Sequence, residues 1–188
     1  MTQPPLVLGI DLGTSGVRIA VLGMDGVLHH TQASNYRGEF CDPESWCEAC
    51  RELIRAIPNR LQSQLKALAV DGTSGTLLAC DSHGLPLGKA LPYSLACPEV
   101  DPLLQGLVGT GNLAQSSSSS LARALRLTSR FGSKILLRHQ SDWISGWLLN
   151  NWSWGEEGNN LRLGWDLISN SWPASFTKQP WRQALPDI

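Results

Sequence analysis

Residues 6–22 constrain the fold more than any other stretch of the chain. An apolar run from Leu6 to Ile10 ends on a lone carboxylate, Asp11, and Gly13-Thr14-Ser15-Gly16 then leads into a second apolar run from Val17 to Leu22. Short apolar runs on either side of a glycine-rich turn predict strand, tight turn, strand, with Asp11 at the tip of a buried strand. Glycine adopts backbone conformations that cost other residues free energy, so Gly13 and Gly16 are expected to let amide N–H groups converge on one spot. Thr14 and Ser15 add hydroxyl donors there. Convergent donors suit a phosphate, and the carboxylate beside them suits a hydrated magnesium ion. The turn is neither a Walker A loop nor a dinucleotide fingerprint: it lacks the Gly-Lys-Ser/Thr ending, and a strand follows where both motifs need a helix.

The same device recurs. Leu65 to Val70 is apolar apart from Lys66, ends on Asp71-Gly72-Thr73-Ser74-Gly75, and is followed by the apolar residues from Thr76 to Cys80. Between the two copies, Val27 to Ala33 predicts a third strand of an antiparallel meander. Asp42 as cap and Pro43 as first residue open a helix over 43–57. Its apolar residues Trp46, Cys50, Leu53, Ile54 and Ile57 share a face, and Pro58 stops it. If this helix is a crossover, the strand ending at Asp71 runs parallel to the strand ending at Asp11. Both turns then lie at one sheet edge, where ligands of open α/β sheets collect.

Beyond Pro92 the pattern is weaker. A turn of helix is expected at 100–108, a helix over Ser118–Phe131 stopped by Gly132, a short apolar run from Ile135 to Leu137, and a helix capped by Ser141 and running to Leu149. In that last helix Trp143, Ile144, Trp147 and Leu148 are expected to point inward. Residues 116–120 are five consecutive serines, read as a loop or a helix N-terminus, and seven of the eight tryptophans lie between Trp143 and Trp181. A net charge of −1 in 188 residues, with no Lys/Arg run, argues against nucleic acid or a membrane surface as partner. No apolar stretch is long enough to span a bilayer, and Met1-Thr2-Gln3-Pro4-Pro5 lacks the basic region of a secretory signal. Five cysteines without framework spacing fit a reducing, cytoplasmic setting. Cys47 and Cys50, with Cys41 nearby, share a helix and have no fourth ligand in view, which argues against zinc. His29, His30 and His83 are expected to be solvated, and His139 has no evident partner.

Two segments carry a resemblance to a known family. Gly9-Ile10-Asp11-Leu12-Gly13-Thr14-Ser15-Gly16-Val17-Arg18 and Ala69-Val70-Asp71-Gly72-Thr73-Ser74-Gly75-Thr76-Leu77-Leu78-Ala79-Cys80-Asp81 resemble the N-terminal domain of the FGGY carbohydrate kinases. These belong to the sugar kinase, heat-shock protein 70 and actin superfamily. Ser141-Asp142-Trp143-Ile144, Asn159-Asn160-Leu161 and Gly164-Trp165-Asp166 add weaker likeness, so the resemblance runs through nearly the whole chain, with a flavour of the xylulose/ribulose kinase-like members. It implies an α/β fold of the ribonuclease H-like, actin-like ATPase kind. That fold has a mixed sheet whose antiparallel meander is followed by parallel strands, with helices around it.

The resemblance also implies roles. Asp11 lies near magnesium and the reacting oxygen, Gly13, Thr14 and Ser15 serve as phosphate-loop donors to ATP, and Arg18 is near the transferred phosphoryl group. Asp71, Thr73 and Ser74 fall on the sugar-contacting turn, where Asp71 either binds sugar or braces the turn. Positioning and charge neutralisation are what phosphoryl transfer asks of a protein, and these residue types supply them. Small-molecule sugar and ATP are the implied partners, with Mg2+ as cofactor and a homodimer allowed. The family's general base is an Asp in a Gly-x-x-Asp element that follows a segment resembling Leu185-Pro186-Asp187-Ile188. Residues 1–188 are therefore expected to be an incomplete N-terminal kinase domain without the adenosine-binding C-terminal domain, inactive alone, from an enzyme acting on a ketopentose such as ribulose or xylulose. The alternative is a non-catalytic sugar- or nucleotide-binding module derived from a kinase.

Overall fold

Burial alternates residue by residue along the first two strands, and that alternation sets the layers of the fold. In the computed structural model, which describes residues 4–188, β1 is Leu6–Leu12, β2 is Gly16–Gly23 and β3 is Leu28–Asn35, joined as an antiparallel meander. Leu6, Leu8, Ile10 and Leu12 of β1 and Val17, Ile19 and Val21 of β2 are buried on one face. Helix α1 (Pro43–Ala56) packs on β2 and β3 and brings Trp46, Cys50 and Leu53 into the same layer. Its start is chemical: the Asp42 side chain accepts from the Glu44 N–H at 3.1 Å, and Pro43 occupies a position where no N–H is needed. A short helix, α2 (Asn59–Gln62), leads into β4 (Leu65–Gly72), which lies parallel to β1 and completes a four-stranded sheet of order β3-β2-β1-β4. The meander, the crossover helix and the parallel return are those expected from the sequence.

The chain divides into two compact units, the first ending at Thr73 and the second running from Ser74 to Ile188. The second turn consequently does not close a hairpin as the first does. Strand β5 (Leu77–Cys80) leaves the first sheet and pairs antiparallel with β6 (Leu136–His139) in a two-stranded sheet of the second unit. Leu77-Leu78-Ala79-Cys80 is apolar at every position and all four residues are buried, so the strand needs cover on both faces. Residues 85–91 return beside β5 only as isolated bridges, Leu77 with Leu91 and Cys80 with Pro86.

Helix α3 (Asp101–Leu107) and helix α4 (Ser120–Phe131) lie where the sequence places them, and α4 ends at Gly132. The serine run is an N-terminus: Ser119 caps α4, accepting from the Ala122 N–H at 3.0 Å and donating to the Ala114 carbonyl at 2.9 Å. Helix α5 (Gln140–Leu149) departs from expectation at its start. His139 occupies the cap position but its side chain does not cap the helix, and the Ser141 hydroxyl inside the helix accepts from Asn159 Nδ2 at 2.8 Å. Ser141, expected as the cap, is instead held by a tertiary bond to α6 (Glu157–Asn160). Trp143 and Ile144 are buried, while Trp147 and Leu148 are half-buried.

The tryptophans serve the second unit's core. Trp165, Trp172, Phe176 and Trp181 form a chain of ring contacts with centroids 5.3, 6.3 and 5.0 Å apart, joining the packed side chains of α3, α4, β5 and β6. Trp154 is the exception to this burial, with 57% of its surface exposed. Among the described residues no helix is long and apolar enough to cross a membrane.

Candidate functional site

Asp11 sits opposite Arg18 in the β1–β2 register and opposite Asp71 in the β1–β4 register. Residues paired across neighbouring strands project from the same face. The sheet therefore carries Arg18, Asp11 and Asp71 in one row, on the face opposite the buried layer that α1 covers. This row lies at the ends of the parallel strands β1 and β4, as the crossover argument requires. Arg18 Nη2 lies 3.1 Å from Asp11 Oδ2, with the two side chains 74% and 50% exposed. At that exposure the ion pair contributes little to stability, and both groups remain open to a ligand.

The first turn is braced from within. The Gly13 N–H donates to the Gly16 carbonyl at 2.9 Å, so this amide is not offered outward. Gly13 and Gly16 do not take a left-handed conformation, contrary to expectation. Gly16 is required for another reason: a Cβ there would lie 2.2 Å from the Ser34 carbonyl oxygen, because β3 crosses directly against it. Thr14 and Ser15 are exposed at the tip. Tyr36 holds the turn from behind, its hydroxyl donating to the Gly13 carbonyl at 2.9 Å and its N–H to the Ser15 carbonyl at 3.0 Å. Tyr36 left little signal in the sequence beyond being an aromatic just after the expected third strand.

In the second turn the Asp71 carboxylate accepts from its own neighbour, the Gly72 N–H, at 2.8 Å. Thr73 Oγ1 donates to the Leu12 carbonyl at 3.2 Å, tying the end of β4 to the end of β1. Asp71 thus braces its turn while staying exposed, and Thr73 joins the two turns. Ser74 is exposed and begins the second unit, and Gly75 follows with φ +84°, the left-handed geometry that favours glycine.

The donor set fits a magnesium ion that keeps most of its water. Such an ion asks for one or two carboxylates, and Asp11 with its register neighbour Asp71 provides them. Among the described residues no group of three or more His, Cys, Asp or Glu is placed to enclose a metal. Burial pushes the Cys47 and Cys50 thiols up to about 12, far from the thiolates zinc requires.

His139 has partners after all. Its Nε2 lies 3.0 Å from Ser120 Oγ, and its Nδ1 lies 3.5 Å from Asp142 Oδ2. Asp142 in turn accepts from the Glu156 N–H at 2.9 Å and from Asn160 Nδ2 at 3.3 Å. All of these side chains except that of Glu156 are buried. The order Ser, His, Asp imitates a nucleophilic triad, but a sealed hydroxyl cannot meet a substrate. The network pins α4, α5 and α6 together.

Comparisons with known proteins agree with this architecture. No family model matches the chain. A xylulose kinase of Staphylococcus xylosus is 25% identical over 131 residues, which are 64% of this chain and 27% of that protein. The structure of Plasmodium falciparum glycerol kinase with ADP aligns over 97% of this chain with a TM-score of 0.79 at 14% identity. That of xylulose kinase from Rhodospirillum rubrum aligns over 96% with a TM-score of 0.78 at 17% identity. The chain spans 42% of each of these two solved proteins. The resemblance to FGGY-type carbohydrate kinases carried by Gly9–Arg18 and Ala69–Asp81 is borne out, and the chain has the actin-like α/β fold of those kinases over less than half of their length.

Proposed function

We propose that residues 1–188 are the N-terminal, phosphate- and sugar-binding part of an ATP-dependent carbohydrate kinase that acts on a ketopentose, ribulose or xylulose. The observation that carries this reading is the row Arg18, Asp11, Asp71 across the ends of parallel neighbours β1 and β4, with an exposed hydroxyl-bearing turn after β1. Asp11 faces a hydrated Mg2+ and, with Thr14, organises the phosphates. Gly13 and Ser15 shape and line the phosphate loop, and Arg18 neutralises charge on the phosphoryl group in flight. Asp71, Thr73 and Ser74 hold the sugar hydroxyls. When bound, the magnesium ion supplies charge neutralisation for the phosphate oxygens.

Proton removal from the sugar is not assigned to any residue of this chain. No Gly-x-x-Asp element occurs in the sequence, so residues 1–188 alone position groups without transferring phosphate. The share of the relatives that the chain covers supports the same reading. Free thiols at all five cysteines support a reducing, cytoplasmic setting. The test is a phosphotransfer assay with Mg-ATP on ribulose, xylulose, hexoses and polyols, run on residues 1–188 and on the whole reading frame that contains them. Transfer to a ketopentose by the whole frame and none by residues 1–188 is expected. Kinase-level turnover by residues 1–188 contradicts the proposal. Sugar binding by a whole frame that transfers nothing to any sugar favours the non-catalytic module.

A further inference from the structure

The second unit contains a cavity that plays no part in the row at Asp11 or in the turn at Asp71. Its volume is about 640 Å3, and Ser82, His83, Arg138, Asn150, Arg182 and Asp187 are among the residues that line it. Small-molecule sites commonly measure ~300–1,000 Å3. Register places the cavity. Leu77 pairs with His139 and Cys80 with Leu136, so the turn after Cys80 and the start of β6 meet at one end of the small sheet. Gly75 and exposed Ser74 precede the other end, three strand residues or roughly 10 Å away. A ligand in the cavity therefore leaves the turn proposed to hold sugar free.

The walls are fixed without a ligand. The Trp152 ring is wedged against Gly84 and Gly146, where a Cβ would lie 2.1 and 2.3 Å from ring atoms, and its Nε1 donates to the Trp143 carbonyl at 3.1 Å. Buried Arg138 ties the walls together: Nε donates to the Trp152 carbonyl, and Nη1 to the Leu137 and Ala184 carbonyls at 2.7 and 2.9 Å. Nη2 has only the Ser153 carbonyl, at 3.5 Å, which leaves one of its two N–H groups uncommitted. Neutral carbonyls orient this guanidinium but do not neutralise it. Neither Arg138 nor Arg182 has a carboxylate within ion-pair distance among the described residues. Asp142 and Asp187 act on Arg138 from beyond that distance, and Asp142 is engaged by Glu156 and Asn160. Arg182 has the Trp172 ring for company, 5.8 Å away. Two arginines thus line the cavity with one carboxylate, Asp187, and the exposed rim is made of hydroxyl and amide groups such as those of Ser82 and Asn150. Guanidinium groups match phosphate oxygens, and a rim of hydroxyls and amides matches hydroxyls. We propose that this cavity is a second ligand site that takes a small phosphorylated polyol, its phosphate towards Arg138 and Arg182 and its hydroxyls towards Ser82 and Asn150. A ketopentose phosphate, the product of the reaction proposed above, belongs to this class, but the site does not depend on that reading.

Isothermal titration calorimetry tests it, on the whole reading frame without ATP or magnesium. Ribulose 5-phosphate, inorganic phosphate and gluconate are titrated separately into the wild type and into Arg182→Gln and Arg18→Gln. Ribulose 5-phosphate is expected to bind the wild type roughly tenfold or more tightly than either of the other two. Arg182→Gln is expected to keep its Tm and to weaken that binding, or to lose one equivalent of it, by roughly tenfold or more, while Arg18→Gln retains it. No binding of ribulose 5-phosphate overturns the inference. So does binding kept in Arg182→Gln and lost in Arg18→Gln, which places the phosphate at the first turn. Equal or tighter binding of inorganic phosphate or gluconate also overturns it, since the ligand is then not a phosphorylated polyol. Should Arg182→Gln not fold, Ser82→Trp, which fills the cavity from its rim, is put through the same titrations with the same outcomes. The readout is binding, so a reading frame that transfers phosphate to no sugar defeats the kinase reading and leaves this test standing.

Discussion

At the residue scale, the site is built from side chains that hold the backbone of two turns as much as from those facing outward. Gly16 is fixed by the approach of Ser34. Alanine there forces β2 and β3 apart, and Gly16→Ala is expected to lower stability by about 1–3 kcal/mol, read from the midpoint of urea unfolding. Tyr36 clamps the same turn through the Gly13 carbonyl, and Tyr36→Phe is expected to cost about 1 kcal/mol by the same measurement. An unchanged midpoint in either variant contradicts the assignment. That Asp11 and Asp71 end neighbouring strands was legible in the sequence, because one carboxylate ending an apolar run is an unusual pattern and the device occurs twice; Arg18 entered only through the family resemblance. Tyr36 was not legible. Its bond to the Gly13 carbonyl joins positions 23 residues apart, and no local pattern encodes it.

At the scale of the elements, local chemistry was readable wherever it acts alone. Asp42-Pro43 specified the start of α1, and Asp42→Ala is expected to cost about 0.5–2 kcal/mol in chemical denaturation, with no loss contradicting the capping role. The meander followed from three alternating or apolar runs separated by turns. The apolar run that became β5 was legible as a strand, but its partner was not: the run has no alternation to show which strand it takes, and its pairing with β6 lies 56 to 62 residues along the chain. Ser141 resembled a cap by position, but a tertiary bond to Asn159 claims its hydroxyl. Helix and strand burial also fixes a pH dependence. Burial raises Cys47, Cys50 and Cys80 from the ordinary 9.0 to about 12, so the unfolded chain loses these protons at lower pH than the folded one. Stability from this source is complete below about pH 9 and falls as pH rises towards about 12. The urea midpoint is expected to be lower near pH 10 than near pH 8, and equal midpoints contradict the burial of these thiols.

At the scale of the whole molecule, the fold matches solved carbohydrate kinases across nearly all of this chain while spanning under half of theirs. The sequence resemblance reached this class because its two motifs are the turns that end β1 and β4. The boundary after Thr73 was not legible, since it falls inside the second motif, between two small polar residues that read as one turn. The proposed function divides the labour, with phosphates at residues 11–18 and sugar at residues 71–75. Steady-state kinetics of Asp11→Asn and Ser74→Ala in the whole reading frame, varying ATP and ketopentose separately, tests it most directly. Asp11→Asn is expected to lower kcat by roughly a hundredfold or more with little change in sugar KM, while Ser74→Ala is expected to raise sugar KM and leave ATP KM alone. Undiminished turnover in Asp11→Asn, or an effect of Ser74→Ala confined to ATP, would contradict it.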